Sequence, residues 1–508
     1  MTAGEGGSRS ARDGAESARR AIRQGVGAAG RLLREHWLFA AFVAGGLALR
    51  VVTQLAYRPA LIFIDSIQYI HNSRHLTPWP VRPLGYPILL HVLSYFGGLD
   101  VVPFVQHLGG LVVAVVLYAT LLRLGVVRWA AALATVPLLF DAIQLNLEQQ
   151  VLSDTPFEYY LTVACCVLVW RKRPNLWMAA GAGILLAAAS VTRPVALIAI
   201  VPFVLTLVFR RARWTAVALL VATFAVPVVM YESWFHHDYG AYSMTGYDGH
   251  FLYARVAPFA DCSNLSLPDY EAPLCPSGRR LTVDQYMWLP SSPVNTLHVP
   301  SDVRGGKVIW LARSEAAGNF ADQVILHQPF TYAHTVLRDF MRGFAPTRGT
   351  DPGQVQASRW DFPVTSPWRK SALKLFAKEG EQPAMNHSLA SFLHDYENVG
   401  YTPGPLLGLA LVAGLLAALG IGRARRSGLR SACFLFSVTT LLVLLGAVAV
   451  SQFSWRYQLP QLVLLPPVAA LAWTAFTGRR EPAPAAAAIP ALKASAADQL
   501  PADPTRTP

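Results

Sequence analysis

Charge is scarce in this chain. Asp, Glu, Lys and Arg together make up 14% of its 508 residues, whereas soluble domains carry about 25%. With 53% hydrophobic residues and a mean hydropathy of +0.35, that shortage excludes an ordinary soluble protein and predicts many membrane crossings. Nucleotide-handling signatures are missing too. No phosphate-binding P-loop, GxGxxG, GxSxG or zinc-protease motif stands in a suitable context, so nothing supports an enzyme using a soluble nucleotide. The first 35 residues have no apolar core. They read as a disordered basic cytoplasmic tail rather than a cleavable signal peptide, and residues 481–508, rich in Ala and Pro, read as a second tail.

Long apolar stretches are abundant. Ten recur, at roughly 37–57, 102–122, 129–147, 154–170, 175–191, 194–209, 214–232, 403–421, 431–451 and 457–477, each near the ~20 residues a crossing needs. If the N-terminal tail is inside, the inner loops read RLGVVR, RKRP, RRAR, RARRSGLR and GRR. Every one is basic. The positive-inside rule then predicts ten crossings with both termini cytoplasmic, and it accounts for the net charge of +13 without nucleic acid. Two large segments fall outside, 58–101 and 233–402. Of five cysteines, Cys262 and Cys275 bracket SNLSLPDYEAPL in the second and are expected to form a disulfide. Cys165, Cys166 and Cys433 lie in apolar stretches and are expected to pack.

The residues that break the apolar pattern lie at the outer ends of these stretches. They are Asp65 in FIDSIQYI, Arg82 in VRPLGYPILL, Glu148 and Asp154 in NLEQQVLSDTPF, Arg193 in SVTRPVAL and Arg456 in SQFSWRYQLP. Ionisable groups near hydrocarbon are costly and therefore functional candidates. Arginine forks hold phosphate, and a carboxylate accepts a hydroxyl proton. If the helices bundle, acids and arginines share one outward cavity suited to a lipid-bound phosphate compound and a hydroxyl acceptor. Simpler readings stay open at each position. Asp154 could cap a helix, Asp65 and Glu148 could be solvated, Arg193 could mark a turn before Pro194, and Arg456 could snorkel to the interface. His236, His237 and Asp238 follow the seventh stretch; adjacent histidines on an extended chain point apart and make a poor metal site. Tyr69 and Tyr86 are expected to contact a sugar, while Trp79 reads as an interfacial aromatic.

These motifs resemble those of a family. FIDSIQYI is similar to the D-x-x-x-Y element in the first outer loop of GT-C glycosyltransferases. These are polytopic enzymes using polyprenyl-phosphate sugars, among them protein O-mannosyltransferases, the lipid A aminoarabinose transferase type and the bacterial glycosyltransferase 39-like group. RPLGYPILLHVL resembles their R-P-P-G-Y-P element, LSDTPFEYYL the acidic motif opening the fourth helix, SVTRPVALIAIVP a T-R-P turn, and SWRYQLPQLVLLPPVAAL an R-Y-x-x-P element. The likeness covers roughly 37–232 and 403–477.

The resemblance implies an all-α membrane bundle of about ten helices with short helices in the first outer loop and a large mixed segment at 233–402. It implies a multi-pass protein of a bacterial inner membrane with its active site outside. Its activity would be sugar transfer from a polyprenyl-phosphate donor to a glycan, lipid or protein acceptor, with inversion. Asp65 would be the catalytic base and Asp154 would shape the site. Arg82, Arg193 and Arg456 would hold the donor phosphate, and Tyr69, Tyr86 and Glu148 would touch substrate. Many members carry Asp-Glu in the first loop, whereas here Ser66 follows Asp65; a single acid serves as base but leaves a divalent metal cofactor open. A transporter or flippase of an anionic or lipid-linked substrate is the alternative. Transporters usually place their charges near the midplane in repeated halves, and no internal repeat is evident. A scaffold binding a partner through the outer segment is a third reading.

Overall fold

The computed structural model describes residues 34–350 and 355–480. The expected tails therefore lie outside the described residues, apart from Arg34 and Glu35. The rest is almost entirely helical, with one two-stranded sheet.

By length and composition, five described helices can cross a membrane: Trp37–Ala56, Val101–Arg123, Trp214–Tyr239, Arg430–Val450 and Trp455–Thr477. Shorter apolar helices occupy Leu176–Thr192, Pro194–Phe209 and Gly404–Leu419, and Asp154–Val169 spans 16 residues. The stretch at 129–147 is not one helix. It breaks into Arg128–Leu133, Val136–Phe140 and Ala142–Gln149. Pro137 opens the middle piece, and the Asp141 side chain accepts the N–H of Ile143 to start the last. That last piece buries Gln144, Asn146, Glu148 and Gln149, so its surroundings are protein rather than lipid. The Trp214–Tyr239 helix also runs further than the hydropathy suggests, and His236, His237 and Asp238 belong to its final turns.

The basic loops meet at one end of the bundle. Arg123 donates from Nε to the Trp170 carbonyl, and Arg210 donates to the carbonyls of Leu168 and Arg171 and to Ser431 Oγ. These contacts join the first, second, third and fourth expected inner loops.

At the other end the two segments expected outside, 58–101 and 233–402, are tied together. Tyr57–Arg58 pairs antiparallel with Ala384–Met385. Trp368 donates from Nε1 to the Ala60 carbonyl, and Phe63 stacks on Trp360 with ring centroids 5.1 Å apart. The outer segment has a core of its own around Tyr253, Tyr286, Phe320 and Val324, closed by the Cys262–Cys275 disulfide. The remaining cysteines are buried and free.

Candidate functional site

Five ionisable side chains from five separate sequence motifs form one chain of alternating charge. Arg82 Nη2 lies 3.3 Å from Asp65 Oδ2. The same oxygen is 3.2 Å from Arg456 Nη1, which is in turn 3.9 Å from Asp154 Oδ2. Arg193 closes the series by pairing with Asp154 Oδ1. Three arginines face two carboxylates, an excess of one positive charge.

Local sequence explains each placement. Asp65 stands in the first turn of helix Ile64–His75, where Ser66 Oγ accepts the N–H of Phe63. Asp154 is the first residue of Asp154–Val169. Both acids thus occupy helix N-termini, where the dipole favours negative charge. Asp154 makes no capping hydrogen bond of its own; its partners are arginines. Arg193 marks the break between Leu176–Thr192 and the 3₁₀ turn opened by Pro194, so it is both a turn residue and a member of the site. Arg456 lies in the 3₁₀ turn Trp455–Gln458 ahead of the last helix and is 12% exposed. It points inward instead of snorkelling.

Aromatic rings hold the arginines. Arg456 lies over Phe63, Trp360 and Tyr457, Arg193 over Phe157 and Tyr457, and Arg82 over Phe251, all within 6.0 Å of the ring centroids. Trp360 and Phe251 come from the outer segment, and nothing in their sequence surroundings marks them. Asp154, Arg193 and Arg456 line a small cavity whose other walls are Phe157, Val195, Val443, Ala447, Tyr457, Leu459 and Pro460. Charge lies at one side and hydrocarbon at the other. Among the described residues, Arg456 Nε and Asp154 Oδ2 have no hydrogen-bond partner.

Burial pushes the Asp65 carboxyl up, but Arg82 and Arg456 outweigh it and hold it down at about 2. A carboxylate depressed in this way stabilises the fold at every pH above its unfolded value near 3.9, and the contribution fades as pH falls toward about 2.

Three expected substrate contacts prove to be interior. Glu148 is fully buried, and its Oε1 accepts from Arg50 Nη2 (2.8 Å), Tyr159 Oη (2.8 Å) and Gln144 Nε2 (3.1 Å), with His107 Nδ1 2.8 Å from Oε2. No room is left for a ligand. Tyr69 and Tyr86 are 2% and 1% exposed and pack edge to face. Tyr69 Oη is 2.9 Å from Ser153 Oγ, and Tyr86 Oη donates to Gln106 Oε1. Neither ring face is open to a sugar; instead they brace the helices that carry Asp65 and Asp154. The carboxylates also do not fit a divalent ion. Among the described residues only Asp65 and Asp154 converge, arginines claim both, and Ser66 Oγ is engaged by backbone.

One glycine couples two of the motifs. A Cβ on Gly85 would lie 2.5 Å from the Val191 carbonyl oxygen and 2.7 Å from Thr192 N. The helix Gly85–Leu93 rests directly on the backbone that presents Arg193. Gly85→Ala must push them apart, since backbone cannot yield as a side-chain end can. We expect stability to fall by about 1–3 kcal/mol. Thermal unfolding checks this, and an unchanged unfolding temperature would argue against the coupling.

Residues 94–239 match the family described as dolichyl-phosphate-mannose-protein mannosyltransferase. Over that stretch, which holds the LSDTPF and TRP motifs, the resemblance to the GT-C polyprenyl-phosphate glycosyltransferases stands. No curated protein sequence matches this one. Among solved structures, the S. cerevisiae protein O-mannosyltransferase Pmt1-Pmt2 complex bound to the sugar donor aligns at 17% identity over 46% of this chain and 38% of its own, with a TM-score of 0.34. The Archaeoglobus fulgidus oligosaccharyltransferase AglB, in complex with an inhibitory peptide and a dolichol-phosphate, aligns at 14% identity over 87% of this chain and 50% of its own, with a TM-score of 0.43. ArnT from Cupriavidus metallidurans bound to undecaprenyl phosphate aligns at 14% identity, 87% of this chain and 77% of its own, with a TM-score of 0.32. The chain thus spans half or less of the first two.

Proposed function

We propose that this membrane protein transfers a sugar from a polyprenyl-phosphate donor to a hydroxyl acceptor on the extracytoplasmic side of a bacterial cell membrane. The observation that carries the reading is the cavity itself, two arginines and an aspartate facing apolar walls. A molecule with a phosphate head and a hydrocarbon tail matches both halves. The match to the mannosyltransferase family across 94–239 supports the same reaction class, and the basic loops at the opposite end of the bundle support an outward-facing site with both termini inside.

The donor phosphate enters beside Arg193 and Arg456 and meets the free Nε of Arg456. Arg456 then divides its charge between the phosphate and Asp65. With less positive charge beside it, Asp65 becomes more basic as the donor arrives. The carboxylate takes the proton of the acceptor hydroxyl, whose oxygen attacks the anomeric carbon from the face opposite the phosphate. The bond from that carbon to the phosphate oxygen breaks, polyprenyl phosphate leaves, and the arginines stabilise its growing charge. One displacement inverts the configuration.

This scheme predicts a split pH response. In the donor-free protein Asp65 is ionised down to about pH 2, so kcat/KM should stay flat on the acid side from about pH 7 to about pH 4. In the donor complex the Asp65 carboxyl titrates higher, so the acid limb of kcat should appear at a higher pH. Coincident acid limbs would contradict the exchange of Arg456. The activity itself is tested by supplying membranes containing the protein with a panel of radiolabelled polyprenyl-phosphate sugars. Transfer of one sugar with inverted anomeric configuration is expected; retention of configuration would remove the single-displacement scheme.

A further inference from the structure

A second groove opens on the other side of the helix that carries Asp65. Only six of the chain's 43 basic residues are lysines, and three of them, Lys370, Lys374 and Lys378, lie in helix Lys370–Glu379. Steps of four align them along one side, where like charges repel one another. The opposite side buries Ala372 and Phe376 against Trp368, so packing fixes which way the lysines face. Lys374, Lys378, Ser371 and Leu375 form one wall of the groove, and Ile67, Ile70, His71 and Arg74 of helix Ile64–His75 form the other.

No carboxylate lines it. The nearby Glu379 is taken by Arg74, and among the described residues neither Lys374 nor Lys378 has an ion-pair partner. The groove belongs to the outer segments, where the positive-inside rule gives no reason for lysines. Its two lysines are therefore unexplained by topology, by internal pairing or by packing. His71 and Arg74 follow Asp65 by six and nine residues on one helix, about 9–14 Å along its axis, and lie across its width from Asp65. That distance is a few sugar or phosphate units.

We propose that this groove binds the anionic groups, phosphate or carboxylate, of a polyanionic acceptor glycan, and so places a hydroxyl of that glycan beside Asp65. The inference rests on the transferase reading and adds the acceptor class to it. The two sites differ in their cations for a physical reason. Arginine forks at the donor cavity fit one phosphate in one pose, whereas lysines are mobile point charges that follow the varied spacing of a repeating polyanion.

The test uses the full chain in nanodiscs of zwitterionic lipid. Binding of a fluorescent glycerol-phosphate hexamer is measured for the wild type, for K374Q/K378Q and for K374R/K378R, with undecaprenyl phosphate binding followed in each. Labelled maltohexaose is the neutral control and phosphatidylglycerol vesicles are the headgroup control. The expected result is salt-sensitive binding of the hexamer that falls about tenfold or more in K374Q/K378Q and survives in K374R/K378R, with undecaprenyl phosphate binding equal in all three. Equal hexamer binding in wild type and K374Q/K378Q overturns the proposal, as does maltohexaose binding as tightly as the hexamer. Lysine-dependent capture of vesicles without binding of the hexamer also overturns it and makes the groove a lipid-headgroup site. If undecaprenyl phosphate binds none of the proteins, the transferase reading falls and takes the acceptor role with it. If it binds all of them while the hexamer binds none, only the groove proposal fails.

Discussion

Asp65→Asn should reduce sugar transfer by about 10²–10⁴-fold, the usual contribution of a positioned general base, while leaving the protein folded. Asparagine keeps the size of the side chain and an oxygen that accepts from Arg82 and Arg456, now 3.3 and 3.2 Å from the carboxylate. What it loses is the capacity to take a proton. It also leaves three arginines facing a single carboxylate, so the donor phosphate should bind at least as well as before. Falling kcat with steady or improved donor affinity is the signature to look for in membranes carrying equal amounts of each protein. Asp154→Asn should behave differently, because Asp154 orients Arg193 and Arg456; its loss should appear mainly in donor affinity. If Asp65→Asn transfers as fast as the wild type, Asp65 is an anchor for its two arginines and another group is the base.

Glu148→Ala should cost about 3–5 kcal/mol of stability, the range found when one partner of a buried ion pair is removed. Arg50 is 2% exposed and Glu148 is fully buried. Without the carboxylate, the Arg50 guanidinium keeps only its bonds to the carbonyls of Gly46, Leu138 and Leu139, and its charge is uncompensated. Thermal unfolding in detergent should shift sharply downward, while any folded fraction should keep its donor affinity. A substrate-binding Glu148 would give the reverse, normal unfolding with weakened substrate affinity. Replacing both partners, Arg50→Met with Glu148→Met, should recover much of the loss, since an apolar pair of similar volume often matches a buried ion pair. No recovery would mean that Tyr159, Gln144 and His107 also depend on the carboxylate.

These two acids show how far the residues could be read before they were placed in space. Asp65 and Glu148 look alike in the sequence, each an isolated carboxylate at the edge of an apolar run. Burial separates them. Glu148 lies on the inward face of a short helix, under Arg50 of one neighbour and His107 of another, while Asp65 opens the helix Ile64–His75 and pairs with Arg82 and Arg456. Tyr69 and Tyr86 pose the same problem, because an aromatic ring beside a site is either its wall or its foundation, and both are buried here. Trp360 lay beyond sequence reasoning altogether. It meets Arg456 across 96 residues of chain, from the four-residue turn Ala357–Trp360, which is too short to carry a periodic signal. The break of 129–147 into three helices was hidden by hydropathy averaging, which masked the polar residues of Ala142–Gln149.

By itself the sequence determined that this is a membrane protein, which ends of its apolar stretches carry the charge, and which six ionisable residues to watch, Glu148 among them. Hydrocarbon enforces those features locally, since an unpaired charge or a basic loop on the wrong side is costly wherever it occurs in the chain. Only the tertiary structure decided that Arg82, Asp65, Arg456, Asp154 and Arg193 form one alternating series, that Glu148 is buried against Arg50, and that Lys374 and Lys378 line a groove across the helix from Asp65. Those outcomes depend on which distant helices meet and on which face, a matter of packing between segments far apart in the chain, and no local preference of any one segment encodes it.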